Sequence, residues 1–254
     1  MRVLSLASGS LGNCSFVSTA NTNIIVDCGI SASKAVSNLG ESGIQPNVID
    51  AILITHEHSD HINGAFVLAR RLGVPVYINP ETYSASKQSH KNVDVRLFDT
   101  DELFSIGNID IHPFPVSHDA ADPVGFSILS DEGNVVIATD TGIVTEKIAE
   151  MAQNASVLML EFNHDCSMLE NGLYPRFLKN RVAGDTGHLS NIDAAKLLSS
   201  MDRSNLKSLF LVHLSRSNNL PKLAHENALK AIEDDSQRID ILVGDQYLIR
   251  DFSS

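Results

Sequence analysis

The sequence predicts an α/β (α+β) chain folded as a four-layer αββα sandwich, two mixed sheets face to face with helices outside. Three observations predict it. About a dozen short β-branched runs recur, segments of helical periodicity separate only some of them, and no single βαβ rhythm runs throughout.

Taken in order, strands are read at Arg2–Ala7, Ser15–Ser18 and Asn23–Asp27, each a short apolar or β-branched run. A helix follows at Ser31–Leu39, where Ala32, Ala35, Val36 and Leu39 fall on one face. The strand Asp50–Thr55 leads to a helix at Asn63–Leu72, again periodic through Ala65, Leu68, Ala69 and Leu72. Strands at Val74–Ile78, Val93–Phe98, Ile109–Pro115, Val124–Leu129 and Asn134–Ala138 then cluster. Alternation returns with helices at Thr145–Ala152, Tyr174–Arg181, Asn191–Ser200 and Leu220–Asp234. The strands of this part are Val157–Glu161, Leu206–Val212, Ile239–Val243 and Tyr247–Asp251. No repeat, low-complexity tract or Pro/Gly/Ser linker divides the chain, so residues 1–254 are expected to form a single domain.

Length and composition narrow the class without naming a function. A chain of 254 residues, 43% hydrophobic and 20% charged, can bury a core without staples. A net charge of -12 argues against a surface that grips nucleic acid everywhere, although a local basic patch beside bound cations can hold phosphates. Cys14, Cys28 and Cys166 are odd in number and scattered, which disfavours a disulfide framework or a thiolate zinc site and fits a reducing cytoplasm. The apolar stretch Val3–Ala7 is too short for a secretory signal, so the N-terminus reads as mature protein, and no run approaches the ~20 residues of a membrane span.

The chemistry concentrates in ILITHEHSDH. Ile52 and Ile54 alternate in a strand expected to end near Thr55, so His56 and His58 are expected to project to one side, with Asp60 and His61 at the turn into the next helix. From this chain's composition, HxHxDH arises by chance in roughly one sequence in a thousand, so a metal site is the expectation. A zincin HExxH is excluded because position 60 is Asp and the preceding run is strand-like. His118, Asp140 and His213 each stand where an apolar strand meets a loop, giving seven candidate ligands with His56, His58, Asp60 and His61.

This ligand series resembles the metallo-β-lactamase superfamily of binuclear hydrolases over nearly the whole length. The resemblance implies the αββα fold, with His56, His58 and His118 on one metal, Asp60, His61 and His213 on the second, and Asp140 bridging. It also implies that Asp27 supports the ligand loop, a strand-end turn carboxylate being the other reading. Flavodiiron oxidoreductases carry Glu at the place of His58, so hydrolysis is favoured over electron transfer. Exported β-lactamases need a signal peptide, for which the apolar stretch Val3–Ala7 is too short. The blocks SLASGSLGNC, PVSHDAADPVGF, TDTG, NHD, YPRFLKNR, GHLSN and HLSRSNN are similar to the YycJ/WalJ group, which implies a 5′-to-3′ exonuclease acting on double-stranded DNA. Phe162 departs from that pattern, where a Ser is expected. GHLSNIDAA and VHLSRSN also resemble tRNA 3′-processing enzymes, yet His118 and Asp140 lie too close for their RNA-gripping arm.

Two divalent cations, zinc or manganese with iron also compatible, lower the pKa of a bridging water toward ~7 and supply the hydroxide that attacks phosphorus. His188 is the expected general acid, outside the metal shell, and Asp60 shares the catalytic role with its ligand role. Substrate contacts are expected from the basic run Arg176, Lys179 and Arg181, and from Ser8, Asn13, Ser215, Asn218 and Asn219 at the mouth. His164 either lines the site or supplements the metal shell. The implied partner is nucleic acid, DNA first, with no membrane. The rival readings are a carboxylic-ester, lactone or thioester hydrolase on the same metals, and a metal-dependent regulatory protein that binds nucleic acid.

Overall fold

In the computed structural model, which describes residues 1–253, fourteen strands form two seven-stranded sheets. The first runs, edge to edge, β14 (Arg250–Ser253), β1 (Arg2–Ala7), β2 (Cys14–Ser18), β3 (Asn23–Val26), β4 (Ala51–Leu53), β5 (Val76–Ile78) and β6 (Val95–Leu97). The second runs β13 (Asp240–Val243), β12 (Ser208–Val212), β11 (Val157–Glu161), β10 (Gly133–Ala138), β9 (Val124–Ser130), β8 (Ile109–Pro115) and β7 (Phe104–Ile106). Both sheets are mixed: β3 to β6 pair in parallel, as do β10 to β13, and the remaining pairs are antiparallel.

Side-chain alternation explains the four layers. In β3, Ile24 and Val26 enter the core between the sheets while Ile25 enters the core under the helices. In β11, Val157 and Met159 face the other sheet while Leu158 and Leu160 face outward to helices. A strand buried on both faces reads as a continuous apolar run, which is why these two lack polar alternation. Helices α1 (Ala32–Glu41) and α3 (Ala65–Leu72) cover the first sheet. Helices α5 (Glu146–Ala152), α8 (Asn191–Ser200) and α9 (Pro221–Ala231) cover the second. The αββα expectation therefore holds.

Several boundaries differ, each for a local reason. Strand β4 stops at Leu53, so His56 and His58 do not share a side through strand periodicity. They lie in a loop, and His58 is the N-cap of a short helix, α2 (Ser59–Ile62). Pairing at the last strand begins at Arg250 rather than Tyr247, because Asp245 accepts hydrogen bonds from the amides of Tyr247 and Leu248 and makes a turn there. The helix read at Tyr174–Arg181 runs instead as α7 (Arg176–Val182), behind Pro175. The last long helix ends at Ala231, followed by a 3₁₀ turn at Glu233–Asp235. Strand β7 and the helices α4 (Pro80–Ala85) and α6 (Cys166–Asn171) escaped the sequence reading, since runs of three to six residues carry no measurable period.

Candidate metal centre

The loops after the strands of both sheets meet at one end of the sandwich. Asp27 follows β3, His56 to His61 follow β4, His118 follows β8, Asp140 follows β10, and His213 follows β12. Asp27, Asp140 and His213 are held in the left-handed backbone region, with φ of 58°, 56° and 56°. That conformation costs a non-glycine residue free energy and persists only where the surroundings over-determine it, as they commonly do at functional sites. Gly29 is required for a different reason. A Cβ there would sit 1.7 Å from the carbonyl oxygen of Asp60, so only glycine lets β3's loop pass against the ligand loop.

The histidines are oriented in pairs with their supports. Asp27 Oδ2 accepts from His61 Nδ1 at 2.8 Å, which turns His61 Nε2 toward Asp140 Oδ2. The Thr55 hydroxyl donates to Asp27 Oδ2 at 2.8 Å and accepts from His56 Nδ1 at 2.9 Å, leaving His56 Nε2 free. His118 Nδ1 donates to the Gly187 carbonyl at 3.0 Å and turns Nε2 to within 3.2 Å of His58 Nδ1. His213 Nδ1 donates to Glu161 Oε1 at 2.8 Å. Fixing one ring nitrogen as a donor is how proteins aim the other at a metal.

Three of the converging atoms make no hydrogen bond. His56 Nε2, His213 Nε2 and Asp140 Oδ2 are buried without a hydrogen bond, a costly condition for polar atoms unless a ligand satisfies them. Donor atoms of His56, His58 and His118 lie within 4.8 Å of one another, and those of Asp60, His61 and His213 do likewise. Asp140 stands between the groups, with Oδ2 3.1 Å from His61 Nε2 and Oδ1 3.8 Å from His118 Nε2. Nitrogen-rich and mixed carboxylate sets of this kind fit divalent cations.

The sequence reading missed Glu161, which ends β11 at 0% exposure. It accepts four hydrogen bonds: from His188 Nδ1 at 2.9 Å, His213 Nδ1 at 2.8 Å, and the amides of Thr141 at 3.0 Å and Leu189 at 3.1 Å. A lone carboxylate closing an apolar run was the available signal, because such a group cannot be buried unpaired. Burial raises the Glu161 pKa, but His188 and His213 outweigh it and hold the carboxyl at about 2. Burial likewise drives His213 down, and Asp140, Asp60 and Glu161 reverse the effect, raising it to about 10. His188 is raised too, Glu161 overcoming its burial.

The remaining site residues separate into supports and walls. Ser8 Oγ accepts the His213 amide at 2.7 Å, and Asn13 lies with Nδ2 3.0 Å from His61 Nε2, so both brace ligands. Ser215 Oγ accepts the Asn218 amide at 3.2 Å. Asn219 is 3% exposed and donates to the carbonyls of Phe162 and Asn163, bracing the backbone beside a cavity that it also lines. Asn218 is buried at 1% exposure with both amide atoms unpartnered. His164 is also buried, with Nδ1 unpartnered, beside the start of α8 through its bridge to Ser190. Arg176 pairs with Glu170, Lys179 donates to the Glu170 carbonyl, and Arg181 pairs with Asp119 at 2.7 Å, next to His118. Only Arg181 of the three is tied to the ligand loops. Phe162 is fully buried in the core beneath the helices, an apolar position.

This assembly of ligand-bearing loops at the end of an αββα sandwich is that of a metallo-hydrolase. A family model described as the beta-lactamase superfamily domain matches residues 22–214, and the chain belongs to that superfamily. Within it, the chain is 38% identical over 253 residues to the exodeoxyribonuclease WalJ of Streptococcus pneumoniae, covering 98% of this chain and 93% of that one. It is 35% identical over 232 residues to the exodeoxyribonuclease YycJ of Bacillus anthracis, covering 90% and 88%. The metallo-beta-lactamase fold protein YhfI of Bacillus subtilis shares the fold, with a TM-score of 0.74 at 15% identity over 99% of each chain.

Proposed function

We propose that this metal-dependent hydrolase is an exodeoxyribonuclease that shortens double-stranded DNA in the 5′-to-3′ direction, using two divalent cations, zinc or manganese. The observation that carries the reading is likeness to curated exodeoxyribonucleases along 98% of the chain, joined to the two converging donor sets. His56, His58 and His118 would hold one cation, Asp60, His61 and His213 the other, with Asp140 between them. When bound, such a pair supplies an activated water and neutralises the non-bridging oxygens of a phosphodiester.

The chain's own residues supply the rest. His188, 22% exposed, gives Nδ1–H to Glu161, which leaves Nε2 as the nitrogen free to protonate the departing oxygen. Glu161 thus orients the acid and a ligand from one buried oxygen. Asp60, 25% exposed, is the ligand carboxylate that faces the opening. Residues 1–254 are taken as a single domain, because loops of both sheets contribute donors. A cytoplasmic setting suits the unpaired cysteines, and no helix of the described residues is long and apolar enough to cross a membrane.

The test incubates metal-replete protein with 5′-phosphorylated duplex DNA, single-stranded DNA, RNA and a small thioester, with zinc and manganese tried separately. Progressive loss of nucleotides from the 5′ ends of the duplex is expected. Thioester turnover with intact DNA would transfer the site to ester chemistry, and stable DNA binding without hydrolysis would make the protein a regulator.

A further inference from the structure

The residues that follow His213, Leu214 to Arg216, line a cavity of about 250 Å³. Ser8 and Ser215, which flank His213, form its inner wall, and Arg216, Leu220, Gln246 and Tyr247 form its rim. The volume falls just under the ~300–1,000 Å³ of sites for drug-sized ligands, which suits one nucleoside unit rather than a longer segment.

The rim is built and chemically specific. Gln246 accepts the Leu11 amide at 3.0 Å and donates to the Gly12 carbonyl at 2.9 Å, tying the rim to the loop that braces His61. Asp245 spends one carboxylate oxygen on the amides of Tyr247 and Leu248, fixing the turn that presents the tyrosine. Tyr247 is nonetheless 63% exposed, an aromatic ring with no packing to explain it, and Leu220 beside it is 51% exposed. Arg216 is exposed and makes no hydrogen bond or ion pair among the described residues. Arg176 and Arg181, by contrast, are neutralised by carboxylates. In a chain of net charge -12, an unpaired guanidinium three residues from a metal ligand is complementary to a phosphodiester.

We propose that this cavity seats one nucleotide of the DNA strand next to the scissile phosphate, with its base stacked on Tyr247 and its flanking phosphate on Arg216. The proposal rests on the exodeoxyribonuclease reading and adds the subsite that positions the strand. Stacking on an aromatic face tolerates any base, as an enzyme that consumes a strand residue by residue requires.

Calorimetric titration of zinc-loaded, full-length protein with deoxyadenosine monophosphate and with deoxyribose 5-phosphate isolates the base, since both ligands carry the same phosphate. The nucleotide is expected to bind about 5- to 150-fold more tightly, the range of one base–aromatic stack. Y247A should erase that difference, Y247F should keep it, and R216A should weaken both ligands alike. Equal binding of the two ligands by the parent protein, or an undiminished difference in Y247A, overturns the subsite. Wild-type protein that prefers the nucleotide yet fails to shorten duplex DNA with zinc or manganese would instead remove the nuclease reading.

Discussion

His188 and Glu161 are bound to each other at 2.9 Å, yet they do different work. His188 stands outside the two donor sets proposed for the cations, although its donor atom also lies within 4.8 Å of those of Asp140, Glu161 and His213, so its removal leaves both proposed sets intact. H188A is therefore expected to retain both metals by elemental analysis while losing about 10²–10⁴ of its turnover, the usual range for a general acid. Unchanged turnover would discard His188 as the proton donor. Glu161 supports structure as well, since its fully buried carboxylate balances two histidines. In the metal-free protein its pKa lies at about 2 instead of 4.5. A depressed carboxyl contributes stability that is fully present above about 4.5 and disappears as the pH falls through about 2. Urea titrations of metal-stripped E161Q should show a loss of about 3–5 kcal/mol at neutral pH, the range for breaking a buried pair, and a flatter acid limb.

At the scale of elements, the centre depends on how closely β3's loop passes the loop after β4. Cys28 donates its amide to the His61 carbonyl at 2.7 Å, Asn13 donates its amide to the Asp60 carbonyl at 2.7 Å, and Gly29 fills the space between. The obstruction at Gly29 is backbone, which no rotamer change relieves. G29A should accordingly cost at least the ~1–3 kcal/mol of ordinary overpacking and should lower metal content per chain, measured by chemical denaturation and elemental analysis. Full occupancy with unchanged stability would show that the two loops can part. Arg181 ties α7 to Asp119 beside His118, so this helix acts as a wall of the centre, while Phe177 on it and Leu173 just before it stand 73% and 103% exposed.

For the whole molecule, the candidate ligands and the carboxylates that support them come from both halves. Asp27 and the residues His56 to His61 hang from the first sheet, whereas His118, Asp140, Glu161 and His213 hang from the second. Cations held by both sets would cross-link the sheets in the folded state alone. At a free metal concentration 100 times the dissociation constant, such binding adds about 2.7 kcal/mol. For a chain of this length that raises the unfolding midpoint by roughly 5–10 °C, and a chelator should remove the gain. A midpoint indifferent to chelation, in protein known to start fully loaded, would contradict the cross-link.

Much of this was legible along the chain. Alternation and the apolar runs marked most strands because burial on both faces leaves no room for polar residues, and the density of HxHxDH marked the ligand loop. Glu161 showed only as a carboxylate closing an apolar run, because its role comes from His188 and His213, 27 and 52 residues away.

The amino-acid order by itself determined that two sheets share one core, marked most of the strands, and set the density of histidine and aspartate in the loop after β4. Tertiary structure alone decided which nitrogen of each imidazole is free, which carboxylate holds two histidines at once, and that Tyr247 and Arg216 share a cavity with the wall of the centre. Those are relations between groups far apart along the chain, and only packing brings their atoms within reach of one another.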